Sequence, residues 1–115
     1  MVNAKLTSRQ VGEVTVIDLS GRITLGEGSS MLRDELRNLI GTNRRKILIN
    51  LAEVSYIDTS GIGQLVAGFT SVSNQGGHLK LLNLSKKVKD VLQITKICTI
   101  FETFEDEKQA IVTFV

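Results

Sequence analysis

Residues 46–65 read KILINLAEVSYIDTSGIGQL, and this stretch decides the fold class. Residues 47–51 form a nearly continuous apolar run, which is typical of a strand buried on both faces. A polar turn follows at residues 58–61, and beyond it apolar residues recur every three or four positions, which predicts an amphipathic helix. Those apolar residues are Ile62, Leu65, Val66, Phe69 and Val72. A buried strand that leads through a short turn into a helix is the repeating unit of an α/β fold.

The residues before this unit predict a hairpin and a first helix. Residues 14–19 are rich in β-branched side chains and predict a strand, with which residues 4–9 can pair as a hairpin. Ser29 or Ser30 is expected to cap a helix that ends at Gly41. The apolar stripe of that helix consists of Leu32, Leu36, Leu39 and Ile40.

The residues after the unit continue the alternation of strands and helices. Residues 78–84 predict a strand, and Ser85 is placed to cap a third helix. Asp106 begins a last helix, with Gln109 three positions later as in a capping box. The order predicts helices on a mostly parallel sheet with a hairpin at its start, in one domain over residues 1–115.

Composition excludes several classes of function. The single cysteine, Cys98, rules out an internal disulfide and a zinc site made of cysteines, and the single histidine, His78, rules out a site with several histidines. We therefore expect no metal and no cofactor. A net charge of +2 and 4% aromatic residues give no sign of nucleic-acid binding. Without an apolar run of membrane-spanning length or a secretory signal, the expected setting is the cytoplasm, away from membranes.

Two motifs that resemble enzyme sites are incomplete. Gly61 and Gly63 follow a strand and open a helix, but the dinucleotide fingerprint needs a third glycine where Val66 stands. The simpler interpretation is that these small residues let the helix start pack closely on the strand. Ser60 lacks the glycines of a nucleophile elbow, since Asp58 stands two positions before it. The chain is therefore predicted not to be an enzyme.

Asp58, Thr59 and Ser60 are the most informative polar residues. All three types are good N-caps, but one helix needs only one cap, so a hydroxyl is left over that could accept a phosphoryl group. Backbone amides and the dipole at a helix start favour added negative charge. A phosphate could therefore be held here without unfolding the domain, while changing what the surface can bind.

The motif Ile57-Asp58-Thr59-Ser60-Gly61-Ile62-Gly63, following the apolar strand at residues 46–51, resembles the signature of STAS domains in bacterial anti-sigma factor antagonists. The resemblance extends over nearly the whole chain. It implies one α/β domain with a mixed sheet, an N-terminal hairpin and about four helices packed mainly on one side. It also implies a regulatory function, since such antagonists bind an anti-sigma factor and thereby free a sigma factor.

The resemblance further implies a phosphorylation switch. The anti-sigma factor of the family is also a serine kinase, which phosphorylates the hydroxyl residue after the motif aspartate and so ends binding, and a PP2C-type phosphatase reverses the reaction. In this sequence that acceptor is Thr59, with Ser60 second, and Asp58 caps the helix and orients the loop. The partner-binding residues implied are Asp58, Thr59, Ser60, Gly61, Ile62 and Thr24.

Two departures from the family pattern keep alternatives open. The acceptor is threonine where many members have serine, and Thr24 stands where many have an aspartate that contacts the partner. A STAS adaptor without a phosphorylation switch, in a stressosome-like or lipid-transport complex, is one alternative. A small nucleotide-binding enzyme that uses the turn at Gly61 and Gly63 is another. The sequence names neither the sigma factor nor the oligomeric state.

Overall fold

A five-stranded mixed sheet organises the part of the chain that the computed structural model describes, residues 4–96 and 99–114. In chain order the elements are β1 (Ala4–Val11), β2 (Val14–Ile23), α1 (Glu27–Gly41), β3 (Lys46–Ile57), α2 (Thr59–Asn74), β4 (His78–Leu82), α3 (Lys86–Ile94), β5 (Thr103–Phe104) and α4 (Glu107–Val112). The strands lie in sequence order, β1 antiparallel to β2 and every later pair parallel. The predicted hairpin and the predicted α/β class are both confirmed.

The two faces of the sheet carry separate cores because side chains alternate along each strand. Ile47 and Ile49 of β3 face a large cluster that also takes in the apolar stripes of α1, α2 and α3. Leu48 faces the other way, into a smaller cluster with Ala110 and Phe114 at α4. Three helices therefore cover one face and the short α4 covers part of the other, as expected for helices mainly on one side.

The N-caps of the helices agree only in part with those predicted from the sequence. Ser85 and Asp106 accept hydrogen bonds from the amides of residues three positions later, as the sequence predicts. The cap predicted for α1 is wrong, because the helix begins at Glu27, before either serine, and Gly26 precedes it without a side-chain cap. Gly26 has φ 105, a left-handed conformation that glycine adopts without strain, so the backbone turns here before Ser29 is reached.

The second strand is longer than its sequence pattern predicts. The pattern predicts a strand over residues 14–19, whereas the strand continues to Ile23. Gly21, with φ 87, lies beside a register shift in the pairing with β3, and this irregularity lets the strand continue. The extension brings the end of β2 level with the end of β3, where Ile23 is paired with Ile57.

Lys80 on β4 is a buried charge that the pattern of apolar residues did not reveal. Its side chain is only 7% exposed, and its ammonium group donates to the hydroxyl of Thr113 (2.8 Å) and lies over the ring of Phe114. These contacts tie the C-terminal residues to the sheet. Cys98, the single cysteine, lies outside the described residues. No described helix is long and apolar enough to cross a membrane.

Candidate functional site

The motif predicted as the site lies where β2 and β3 end and α1 and α2 begin. The carboxyl ends of parallel strands meet at one edge of a sheet, and here the amide of Asp58 donates to the carbonyl of Ile23 at 3.3 Å. The loop from β2 to α1, residues 24–26, is therefore placed beside the start of α2. Residues more than 30 positions apart in the sequence share one surface.

Asp58 holds this edge together through its carboxylate. Oδ1 accepts the amides of Ser60 (2.9 Å) and Gly61 (3.0 Å), which makes Asp58 the N-cap of α2, as predicted. Oδ2 accepts the amide of Leu25 at 3.1 Å and so fixes the loop before α1. One carboxylate thus joins the two helix starts.

These hydrogen bonds set the charge state of Asp58. Partial burial alone would raise the pKa of the carboxyl, but the hydroxyl of Ser60 and the amides of Gly61, Leu25 and Ser60 donate to it. The hydrogen bonds outweigh the burial, and the pKa of Asp58 lies below its usual value. The site therefore carries a fixed negative charge at neutral pH.

The two hydroxyls of the motif differ in their surroundings. Ser60 is half-buried; its hydroxyl donates to Asp58 Oδ1, and its oxygen lies 2.7 Å from Oγ of Ser29. Because Ser60 uses its proton on the carboxylate, Ser29 is the donor in the second bond. Thr59 is exposed, and within the described residues its hydroxyl makes no side-chain hydrogen bond. The hydroxyl left over by the cap is that of Thr59.

Glycines allow the two helix starts to approach β2. A Cβ added at Gly61 would meet the carbonyl oxygen of Ile23 at 2.5 Å, and one added at Gly28 would meet the carbonyl oxygen of Arg22 at 2.7 Å. Gly63, in contrast, has open space at its Cβ position. The prediction of close packing is therefore confirmed for Gly61 and wrong for Gly63, which is exposed. The amides of Ser60 and Gly61 are already bonded to Asp58.

The predicted partner-binding residues are not all at the surface. Thr59 is exposed, and Asp58, Ser60 and Thr24 are half-buried around it. Gly61 and Ile62 are buried, so they support the exposed residues of the site and are not part of its surface.

Sequence reasoning missed two residues. Ser29 is a buried polar residue whose hydroxyl bonds across to α2, and Leu25 is 83% exposed beside the motif. The sequence does offer a signal for Leu25, because it is a single leucine between Thr24 and Gly26 that does not belong to the apolar stripe of α1. Among the described residues, no cluster of three or more His, Cys, Asp or Glu side chains is placed to hold a metal ion.

Comparison with known proteins identifies the family. The model of the STAS domain matches residues 5–110. The chain belongs to the STAS domain family. It is 34% identical over 86 residues to the anti-sigma-B factor antagonist of Bacillus subtilis, covering 75% of this chain and 77% of that protein. Anti-sigma factor antagonists of this family are regulatory binding proteins and not enzymes, which agrees with the incomplete enzyme motifs.

Solved structures support the same fold. The unphosphorylated anti-sigma factor antagonist SpoIIAA superposes with a TM-score of 0.82 at 22% identity, covering 95% of each chain. The phosphorylated form of the Bacillus cell fate determinant SpoIIAA gives a TM-score of 0.75 at 22% identity, covering 95% of this chain and 98% of that one. At this level of identity the likeness concerns the fold alone.

Proposed function

We propose that this STAS domain is a cytoplasmic anti-sigma factor antagonist that is controlled by phosphorylation of Thr59. In its unmodified form it binds an anti-sigma factor that is also a serine kinase, and the sigma factor is released. The kinase then phosphorylates Thr59 and binding ends. A PP2C-type phosphatase removes the phosphate and restores binding.

Family membership supports the first part of this proposal. The Bacillus subtilis relative, which aligns over three quarters of this chain, is named for antagonism of an anti-sigma factor. The site is a surface made of two helix starts and the loops before them, which is a form that a protein partner can contact. The expected partner is therefore an anti-sigma factor.

The proposed phosphorylation of Thr59 is supported by the difference in exposure and hydrogen bonding between Thr59 and Ser60. A kinase must reach the acceptor hydroxyl with its own base and with ATP. Thr59 is the first residue of α2 and is exposed, so its hydroxyl is accessible. Modification of Ser60 would remove the proton that it donates to Asp58 and would place a charged group against Ser29 of α1. These differences support Thr59 as the acceptor and Ser60 as a structural residue.

The transfer is chemically simple at this position. The Thr59 oxygen attacks the γ-phosphorus of ATP, the bond to the β,γ-bridging oxygen breaks, ADP leaves, and the hydroxyl proton passes to a base of the kinase. The new group carries about −1.5 to −2 charges at pH 7. The dipole of the 16-residue α2 favours this charge at its start, whereas the amides of Ser60 and Gly61, which were also expected to favour it, are already bonded to Asp58. A partner, in contrast, would have to bury the phosphate beside the Asp58 carboxylate.

Mapping of the phosphate tests the acceptor assignment. Each anti-sigma factor with a serine-kinase domain encoded in the same genome would be purified and incubated with ATP and the wild-type chain, Thr59→Ala, Ser60→Ala or Thr70→Ala. Thr70 is an exposed threonine on the same helix and serves as the matched control. We expect one phosphate in the wild type and the control, and none in Thr59→Ala. A phosphate that survives Thr59→Ala and disappears in Ser60→Ala would refute the assignment.

The nucleotide-binding alternative loses support from the geometry. Phosphate-binding turns offer free backbone amides, and here the amides of Ser60 and Gly61 are bonded to Asp58. The adaptor alternative shares this fold and differs only in the switch. It would be favoured if none of the purified kinases modified the wild-type chain.

A further inference from the structure

Leu25 is the most exposed of the large hydrophobic side chains in residues 4–96 and 99–114. It lies between β2 and α1 with 83% of its surface accessible. Single exposed apolar residues are common on protein surfaces and need no explanation by themselves. Leu25 differs in two respects, its neighbours and its backbone.

The neighbour that matters is Asp58. Its Oδ2 accepts the Leu25 amide at 3.1 Å, while its other oxygen caps the helix that begins at Thr59. The same carboxylate therefore fixes the Leu25 amide with one oxygen and, with the other, the start of the helix whose first residue is Thr59. A partner that covers Thr59 and the start of α2 is therefore placed to contact the loop that carries Leu25.

The backbone around Leu25 is held on both sides. The carbonyl of Thr24 accepts the amide of Ser29 at 3.0 Å, and the carbonyl of Gly26 accepts the amide of Ser30 at 3.0 Å. Together with the bond to Asp58, these contacts fix three consecutive residues of the loop. An apolar side chain on a fixed loop loses little conformational freedom on binding, which makes it an efficient anchor.

We infer that Leu25 is the apolar anchor of the interface with the anti-sigma factor and inserts into an apolar pocket on that partner. This inference rests on the proposed function and adds the chemistry of the contact. Glu27 is exposed next to it and Asp58 carries a negative charge behind it. The pocket that fits this surface is apolar at its centre and basic at its rim.

Substitutions at Leu25 test the inference. Binding to the purified kinase would be measured by calorimetric titration for the wild type, Leu25→Ser, Leu25→Met and Val112→Ser. Val112, 71% exposed on α4, is the matched control. Full burial of a leucine side chain predicts a loss of about 10- to 100-fold in affinity for Leu25→Ser. Methionine keeps the apolar volume, so Leu25→Met should lose less than about threefold, as should the control.

The outcomes separate the inference from the proposed function. Wild-type affinity in Leu25→Ser, with the unfolding midpoint in urea unchanged, would overturn the role of Leu25 and leave the antagonist function intact. Absence of binding by the wild type to every such kinase would overturn both. If the wild type forms a dimer by sedimentation and Leu25→Ser is a monomer, the pocket belongs to a second copy of this chain and the inference is wrong.

Discussion

Removal of the Asp58 carboxylate is expected to destabilise the domain by a predictable amount. Asp58→Ala leaves the amides of Ser60 and Gly61 without their cap, and loss of an N-cap costs about 0.5–2 kcal/mol. The Leu25 amide loses its acceptor as well, and a hydrogen bond of this kind contributes roughly 0.5–1 kcal/mol to stability. We expect a total of about 2 kcal/mol, or a decrease in Tm of roughly 8 °C.

Asp58→Asn separates the two functions of the carboxylate. Asparagine is a good N-cap but has a single acceptor oxygen, so it can satisfy the start of α2 or the Leu25 amide, not both. Its cost should therefore be about half that of alanine. Asp34→Ala is the control, because Asp34 is exposed on α1 and its one ion pair within residues 4–96 and 99–114 is with the adjacent Arg33. Its loss should therefore cost under about 0.5 kcal/mol.

The assay is urea unfolding followed by far-ultraviolet circular dichroism, since the chain has no tryptophan. The pKa of Asp58 is lowered in the folded state, so its stabilisation is complete above the ordinary aspartate pKa and is lost as the pH falls through the lower folded value. The stability difference between wild type and Asp58→Asn should shrink as the pH falls below about 4. Equal stability of Asp58→Ala and Asp34→Ala at pH 7 would refute the reasoning.

Two further predictions concern α2. Leu65→Ala should lower the free energy of unfolding in urea titration by about 2–5 kcal/mol, because its fully buried side chain leaves a cavity. Gln64→Ala, which lies off the apolar stripe of α2, should lower it by less than about 0.5 kcal/mol. Equal losses at the two positions would mean that the helix register is wrong. Gly61→Ala should destabilise by about 1–3 kcal/mol because its Cβ would meet the Ile23 carbonyl, while Gly63→Ala, with open space, should stabilise the helix by about 0.5–1 kcal/mol. A higher Tm for Gly61→Ala than for Gly63→Ala in thermal unfolding would contradict this account.

Features set by neighbours in the sequence were predictable. The caps at Asp58, Ser85 and Asp106 depend on amides two or three residues away, and the stripe of α2 depends on helical spacing alone. The hairpin likewise follows from two adjacent runs and a short turn. In each case the interacting groups are brought together by local backbone geometry, so the sequence pattern contains the information.

Features set by packing between distant residues were not predictable in this way. Ser29 reads as a cap, yet its hydroxyl bonds to Ser60, 31 positions later, because α1 starts early and lies against α2. Leu25 is tied to Asp58, 33 positions later, by the meeting of two strand ends. Lys80 interrupts an apolar strand and is nevertheless buried, because Thr113, 33 positions later, supplies acceptors for its ammonium group.

The measurement that tests the central claim most directly is calorimetric titration of the phosphorylated chain against the kinase that phosphorylates it. Covering a new charge beside Asp58 without a partner costs several kcal/mol, and 1.4 kcal/mol already means a tenfold change in affinity. Phosphorylation of Thr59, or Thr59→Glu in its place, should therefore weaken binding at least tenfold, with an unchanged circular dichroism spectrum and a Tm within a few degrees. Thr59→Ala should bind like the unmodified chain. Wild-type affinity in the folded, Thr59-phosphorylated chain would contradict the claim that charge at this helix start controls the interface.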